Sequence, residues 1–270
     1  MNTLFKITRL GNGAREWSDA SCNICLGCSH DCLYCFAKAM RSRFNKEMRI
    51  PGNWSRQQLK EKTQLAADMK HKGVVMFPTT HDITPEFLPE AVTTIGNLLE
   101  GNNQVLIVSK PHLSVIRRLC QEFDGQKSRI LFRFTIGSTD VALSAFWEPG
   151  APAPAERLRA LRYAYAAGFA TSVSMEPILG SVDAAVELVN TVSPFVTDTI
   201  WIGKMQRVPI KLNSHIAGFT EARELVRVQQ ADEEILRLVR LLKGHAKVEW
   251  KDSIKKVIAK HAGQISGGAQ

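Results

Sequence analysis

The chain has 270 residues, 44% hydrophobic and 23% charged, enough to bury a large core without disulfides and unlike a disordered segment. No run approaches the about 18 apolar residues of a membrane span, and the N-terminus shows no apolar run of secretory length, so a cytoplasmic location and no membrane partner are expected. The net charge of +9 is uneven: from Lys38 to Lys62 eight basic residues meet only Glu47 and Glu61, which reads either as a solvated helix face or as a landing site for nucleic acid, another anionic substrate or an acidic redox partner.

The first feature in chain order is SCNICLGCSHDCLYC, residues 21–35, with five of the six cysteines. In a reducing compartment such density points to metal ligands rather than disulfides. Three groupings are open. Cys22/Cys25 with Cys32/Cys35 makes two CxxC pairs, a zinc pattern, but only six residues separate the pairs where zinc ribbons use about 15–20. Cys22, Cys25, Cys28 and Cys32 match a ferredoxin run, yet Leu33 stands where Pro is usual and no second run follows. Cys28, Cys32 and Cys35 supply three thiolates, enough for three irons of a [4Fe–4S] cube with the fourth left open.

A strand is expected just before Cys28. Apolar, β-branched runs at 74–80, 104–110, 130–138, 170–179 and 198–204 predict five more. Helical spacing predicts helices over 55–71, 85–100, 111–123, 154–167 and 182–192, with Pro85 and Pro111 at expected starts and Gly168 as a stop. Alternation of this kind means a parallel sheet, either open and doubly wound or an incomplete barrel, with ligands at the carboxyl ends of the strands. From Gly218 the pattern is helical through KVEWKDSIKKVIAKHA, residues 247–262.

CSHDCLYC at the end of the first strand of a βα chain resembles the radical S-adenosylmethionine (SAM) superfamily. GCSHDCLYCFA, HDITPE, LIVSKPHLSVIRRL and FWEPGAPAPAERLRAL, in that order, resemble its spore photoproduct lyase branch. The resemblance implies a partial (β/α)6 TIM-type barrel over 1–217 with an N-terminal extension, and a C-terminal helical extension, 218–270, packed on it. It implies a [4Fe–4S] cluster on Cys28, Cys32 and Cys35, and SAM bound at the open iron. Reductive cleavage of SAM would yield a radical that takes a hydrogen atom from an organic substrate, with a flavodoxin- or ferredoxin-type reductant. It places Tyr34 beside adenine, Lys110 at the SAM carboxylate, Ser138 at the methionine or ribose part, and Thr80 and Asp82 at the methionine amine. Two departures stand out. TTHD replaces the superfamily's GGE after the second strand, and no cysteine stands near it to act as the branch's hydrogen donor, so thymine-dimer repair is not expected.

Other residues are read from position. Glu176 and Lys204 end strands and are the catalytic candidates: Glu176 as base or substrate contact, or else in a salt bridge to a barrel cation, and Lys204 pairing with a phosphate or with Glu176. Glu148 and Arg157 are expected to form a structural ion pair. Cys22, Cys25 and Cys120 are expected as small packing residues. His30 is expected to bond locally or face solvent, and His81 to lie exposed. The competing function is a zinc- or iron–sulfur-stabilised nucleic-acid-binding or electron-carrier protein without catalysis.

Overall fold

The computed structural model describes residues 5, 13–61, 71–206 and 210–262. In chain order the strands are β1 (Ala20–Ser21), β2 (Cys25–Leu26), β3 (Gln58–Leu59), β4 (Val74–Phe77), β5 (Gln104–Ser109), β6 (Ile130–Thr135), β7 (Ala170–Met175), β8 (Ile200–Ile202) and β9 (Val248–Trp250). β2 and β3 form a small antiparallel ribbon. The other seven make one sheet in the order β1-β4-β5-β6-β7-β8-β9, every pair parallel. The sheet does not close. The expected parallel, partial barrel is present, with one more strand than the six counted from the sequence.

The central strands are buried on both faces, as parallel strands are, which is why they read as continuous apolar runs. The pleat sorts their side chains. Val75, Phe77, Val105, Ile107, Phe132, Phe134, Val173 and Ile200 face the helical layer and make the main core. Val74, Met76, Leu106, Leu131 and Ala170 face the concave side, where Trp17 and Phe5 of the N-terminal segment cover them.

The helices are α1 (Phe36–Phe44), α2 (Leu88–Glu100), α3 (Leu113–Glu122), α4 (Val141–Trp147), α5 (Pro154–Ala166), α6 (Val182–Val192), α7 (Ile210–Asn213), α8 (Phe219–Gln229), α9 (Asp232–Leu241) and α10 (Asp252–Lys260). Their starts follow from local chemistry. Pro89 and Pro154 occupy first turns, where a missing amide costs nothing. Asp140 and Ser181 cap α4 and α6 by accepting the amides of Leu143 (2.9 Å) and Ala184 (3.3 Å). Gly168, at φ +81°, ends α5.

Three expectations are corrected. Residues 58–59 of the expected helix 55–71 are a strand, because Gln57 is spent bridging Ser29 and Asp82 while the Lys60 amide bonds the Ile24 carbonyl; residues 62–70 lie outside the described residues. Val248–Trp250, expected as helix, extends the sheet: the Ile200 amide bonds the Lys247 carbonyl (2.7 Å) and the Lys251 amide bonds Ile202 (2.9 Å). Three residues are too few to show a period in sequence. Finally, the strands stop short of their apolar runs, β4 at Phe77 because Pro78 has no amide to donate.

One concave position is charged. Arg133 of β6 is buried, bonds Ser172 Oγ (2.9 Å), lies 3.4 Å from Asp198 and stacks 4.7 Å over the Trp17 ring. Burial lowers its pKa to about 10, against the pull of Asp198. Arg133→Ala should therefore remove the cation from a buried ion pair and cost about 3–5 kcal/mol in urea denaturation, with near-native stability of that variant as the contrary result.

Candidate cluster and cofactor site

The loop between β1 and α1 is clamped on every side. The Cys22 amide bonds the Met76 carbonyl (3.0 Å) and the Asn23 carboxamide bonds Thr79 and the Thr80 amide, each at 2.8 Å. The Ile24 amide donates to His81 Nε2 (3.0 Å), so His81 is buried and bonded rather than exposed as expected. Burial lowers the His81 pKa to about 4 and keeps the ring neutral, as an acceptor must be. The Cys28 amide bonds Trp54, the Leu33 amide bonds Trp147, and Asn213 donates to the Leu33 carbonyl (2.6 Å). Gly150, in the EPG turn after α4, donates to His30 (3.0 Å); a Cβ there would lie 2.0 Å from the Ser29 carbonyl oxygen.

Cys28, Cys32 and Cys35 are free thiols on this loop. Cys35 also caps α1, accepting the Lys38 amide (3.4 Å). Burial raises all three pKa values, that of Cys32 to about 12, and the neighbouring thiols add to the rise for Cys28 and Cys32. Such thiols stay protonated until a metal takes the proton's place. Among the described residues, no three His, Cys, Asp or Glu side chains close around a single metal ion. A cubane asks for something different, one thiolate per iron, and three neighbouring free thiols on one loop fit that demand. Cys22 and Cys25 instead belong to the hydrophobic core, as does Cys120 on α3.

Two buried carboxylates frame the site beside the thiols. Asp82 accepts from the Ile83 amide (2.8 Å), Ser109 Oγ (2.5 Å) and the Lys110 amide (2.8 Å), and His30 Nδ1 stands 3.2 Å away. Burial alone would raise its pKa; His30, Ser109 and the Lys110 amide outweigh that and hold it at about 2. His30 is 1% exposed and its contact with Asp82 is not aligned as a hydrogen bond. Glu148 pairs with Arg157 (2.5 Å), the expected structural pair, and also accepts the Tyr34 hydroxyl and attracts Lys110 Nζ at 3.9 Å. Lys110 lies 5.5 Å over the Tyr34 ring. Burial would lower its pKa, but Cys32 and then Glu148 raise it, so the ammonium stays charged.

The remaining candidates scatter. Thr80 is exposed beside Asp82. Ser138 is buried and its Oγ accepts the Asp140 amide (3.0 Å). Glu176 and Lys204 are not joined. Glu176 meets Lys251 (3.5 Å), itself held by Glu16 (2.8 Å), and burial raises the Glu176 pKa. Lys204 meets Asp232 (3.7 Å). Lys251 ends β9 and was missed because that strand was missed; the strand-end rule that selected Glu176 and Lys204 would have selected it too.

No family model matches the sequence. A curated protein of Acidianus two-tailed virus, described as uncharacterized protein ORF301, is 26% identical over 186 residues, covering 64% of this chain and 61% of that protein's length. Spore photoproduct lyase, solved with a dinucleoside spore photoproduct, matches at TM-score 0.56 with 15% identity over 86% of this chain and 76% of its own. Streptococcus suis SuiB bound to precursor peptide SuiA matches at 0.55 with 10% identity, covering 89% and 50%. Methylornithine synthase (PylB) matches at 0.50 with 12% identity, covering 93% and 83%. The chain has the fold of the radical SAM enzymes. In a radical SAM barrel the carboxyl ends of the strands form the mouth, and here that mouth carries the three-cysteine loop, Asp82 and Lys110. Among the described residues no helix is long and apolar enough to cross a membrane.

The depressed Asp82 pKa sets a sign. Its carboxylate contributes stability that is present above about pH 4 and lost as pH falls through about 2. The stability gap between the wild type and Asp82→Asn should shrink by about 2 kcal/mol between pH 5 and pH 2 in urea titrations. A gap constant with pH would show that the carboxylate charge is not what the fold uses.

Proposed function

We propose that the chain is a radical SAM enzyme acting on an anionic organic substrate, with nucleic acid as the class its charge favours. One observation carries this: three free thiols, Cys32 buried and Cys28 and Cys35 half-buried, stand at the mouth of an open parallel barrel, beside a Lys110 that stays charged and a Tyr34 fixed by Glu148. When bound, a [4Fe–4S] cluster supplies the electron that splits SAM into methionine and a 5′-deoxyadenosyl radical, which takes a hydrogen atom from the substrate. Cys28, Cys32 and Cys35 would hold three irons. Lys110 would meet the SAM carboxylate, exchanging its 3.9 Å contact with Glu148 for a closer anion. Tyr34 would pack beside adenine, and Ser138 and Thr80 would line the methionine and ribose. Asp82 already accepts three donors, so its stronger role is to hold Lys110 in place.

Glu176 and Lys204 would face substrate rather than cofactor, each needing to leave its present partner, Lys251 or Asp232. The electron donor would be a flavodoxin- or ferredoxin-type protein, consistent with a reducing cytoplasm. The solved neighbours hold a dinucleoside in one case and a peptide in another. The run of basic residues after Cys35 supports the former for this chain.

Anaerobically reconstituted protein should be brown, hold about four irons and form 5′-deoxyadenosine from SAM with dithionite. Cys28→Ala, Cys32→Ala or Cys35→Ala should abolish both colour and product, whereas Cys22→Ala should keep the iron. Lys110→Ala should keep the cluster and weaken SAM binding about tenfold or more in calorimetry. A colourless protein with stoichiometric zinc would refute the proposal.

A further inference from the structure

Behind the cysteine loop lies a cavity of about 60 Å³ that the proposed chemistry does not use. Its walls come from separate segments: Asp31 of the loop, Lys38 of α1, Arg49 and Trp54 after it, and Asn213 and His215 at the end of α7. The charges do not cancel. Lys38 is matched by Asp31 at 2.6 Å. The Arg49 Nε donates to the Ser42 carbonyl (2.8 Å), and its guanidinium has no carboxylate partner among the described residues. One lining residue also carries a buried donor with no hydrogen-bond partner, Trp54 Nε1; Asn213 Oδ1 is likewise unpartnered, but as an acceptor it offers nothing to an anion. The cavity has room for a small polyatomic anion.

We infer that this cavity is a phosphate-binding site that anchors the anionic substrate beside the cluster loop, which rests on the anionic-substrate reading above. Donors approach from three segments, which suits the several oxygens of a phosphate better than the two of a planar carboxylate. Ile50 of the lining is 55% exposed, and nearby in sequence Phe36 and Phe44 of α1 are exposed at 64% and 83%, among the exposed Arg41, Arg43 and Lys46. Exposed rings interleaved with cations are the pattern that tracks a single strand, with bases on the rings and phosphates on the charges. The source of the phosphate is therefore a nucleic-acid backbone. Asn213 ties the cavity to the cluster loop through Leu33, so an occupant would bear on the segment that carries the thiols.

The test uses full-length, reconstituted protein at low salt. Inorganic phosphate is titrated by calorimetry, and a labelled single-stranded oligonucleotide by fluorescence anisotropy. Arg49→Glu should weaken saturable phosphate binding about tenfold or more, and the oligonucleotide with it, and phosphate should compete with the strand. His215→Ala, an exposed change, should weaken both in the same direction. Iron content and thermal transition report that each variant is folded. If phosphate binding falls while the oligonucleotide is unaffected, the site stands and its source is a free phosphate or phosphomonoester, overturning the nucleic-acid assignment. If neither probe depends on Arg49 and His215, or phosphate does not saturate, the cavity holds only water and the inference is overturned. Failure of the radical reaction is read separately, as absence of 5′-deoxyadenosine from wild-type protein whatever the phosphate result.

Discussion

The site depends on one buried carboxylate. Asp82 stands just past β4, yet its acceptors are spent on β5, through Ser109 and the Lys110 amide, and it faces the cysteine loop through the charge contact with His30 at 3.2 Å. A carboxylate taken out of water costs several kcal/mol unless donors replace its hydration. Three aligned donors do so here, and the depressed pKa shows that they more than offset burial. The carboxylate is thus ionised, immobile and shared by three segments that sequence places far apart. Their relative position follows: where His30 goes the thiols go, and where the Lys110 amide goes its ammonium follows.

Glu148 performs the matching task from the opposite side. It reaches Tyr34 on the loop, Arg157 on α5 and Lys110 on β5 from the end of α4. Arg157 in turn bonds the Pro152 carbonyl (2.6 Å), closing the EPG turn that Gly150 presses against Ser29. Glycine is needed at 150 because backbone meets backbone with no space for a Cβ. Two carboxylates and two cations, Lys110 and Arg157, make the charges of this region balance, so a bound zwitterion can exchange partners without leaving a bare charge.

Much of this was legible in the sequence because it is periodic or local. The βα alternation predicted the parallel sheet, as strands buried on both faces have a composition that few other elements share. The EPG segment foretold the Glu148–Arg157 pair. What was illegible is what depends on contacts between distant residues. His81 reads as a surface polar residue until the Ile24 amide is seen to need an acceptor. Asp82 reads as a ligand for a cofactor, since nothing in HDITPE announces Ser109. Val248–Trp250 is a strand only because β8 offers an edge, and Lys251, which depends on that strand, went unseen with it.

The concave face divides into two regimes, and the division bears on the chemistry. On the concave face, Arg133 within β6 and Lys251 at the end of β9 lie against Trp17 and Trp201, with Asp198, Glu16 and Glu176 as counterions, and the N-terminal segment closes over them. These cations are already matched, so they stabilise the floor and do not recruit ligands. At the mouth, the ion pair of Lys110 with Glu148 is long, and Lys110 is also the cation that faces Cys32 and Cys35. Hydrogen-atom abstraction needs no strong general base, but it does need a reacting centre from which water and stray hydrogen donors are excluded. A saturated, aromatic floor beneath an unsaturated mouth meets that need. Glu176, held by Lys251 at 3.5 Å, stands at the boundary between the two.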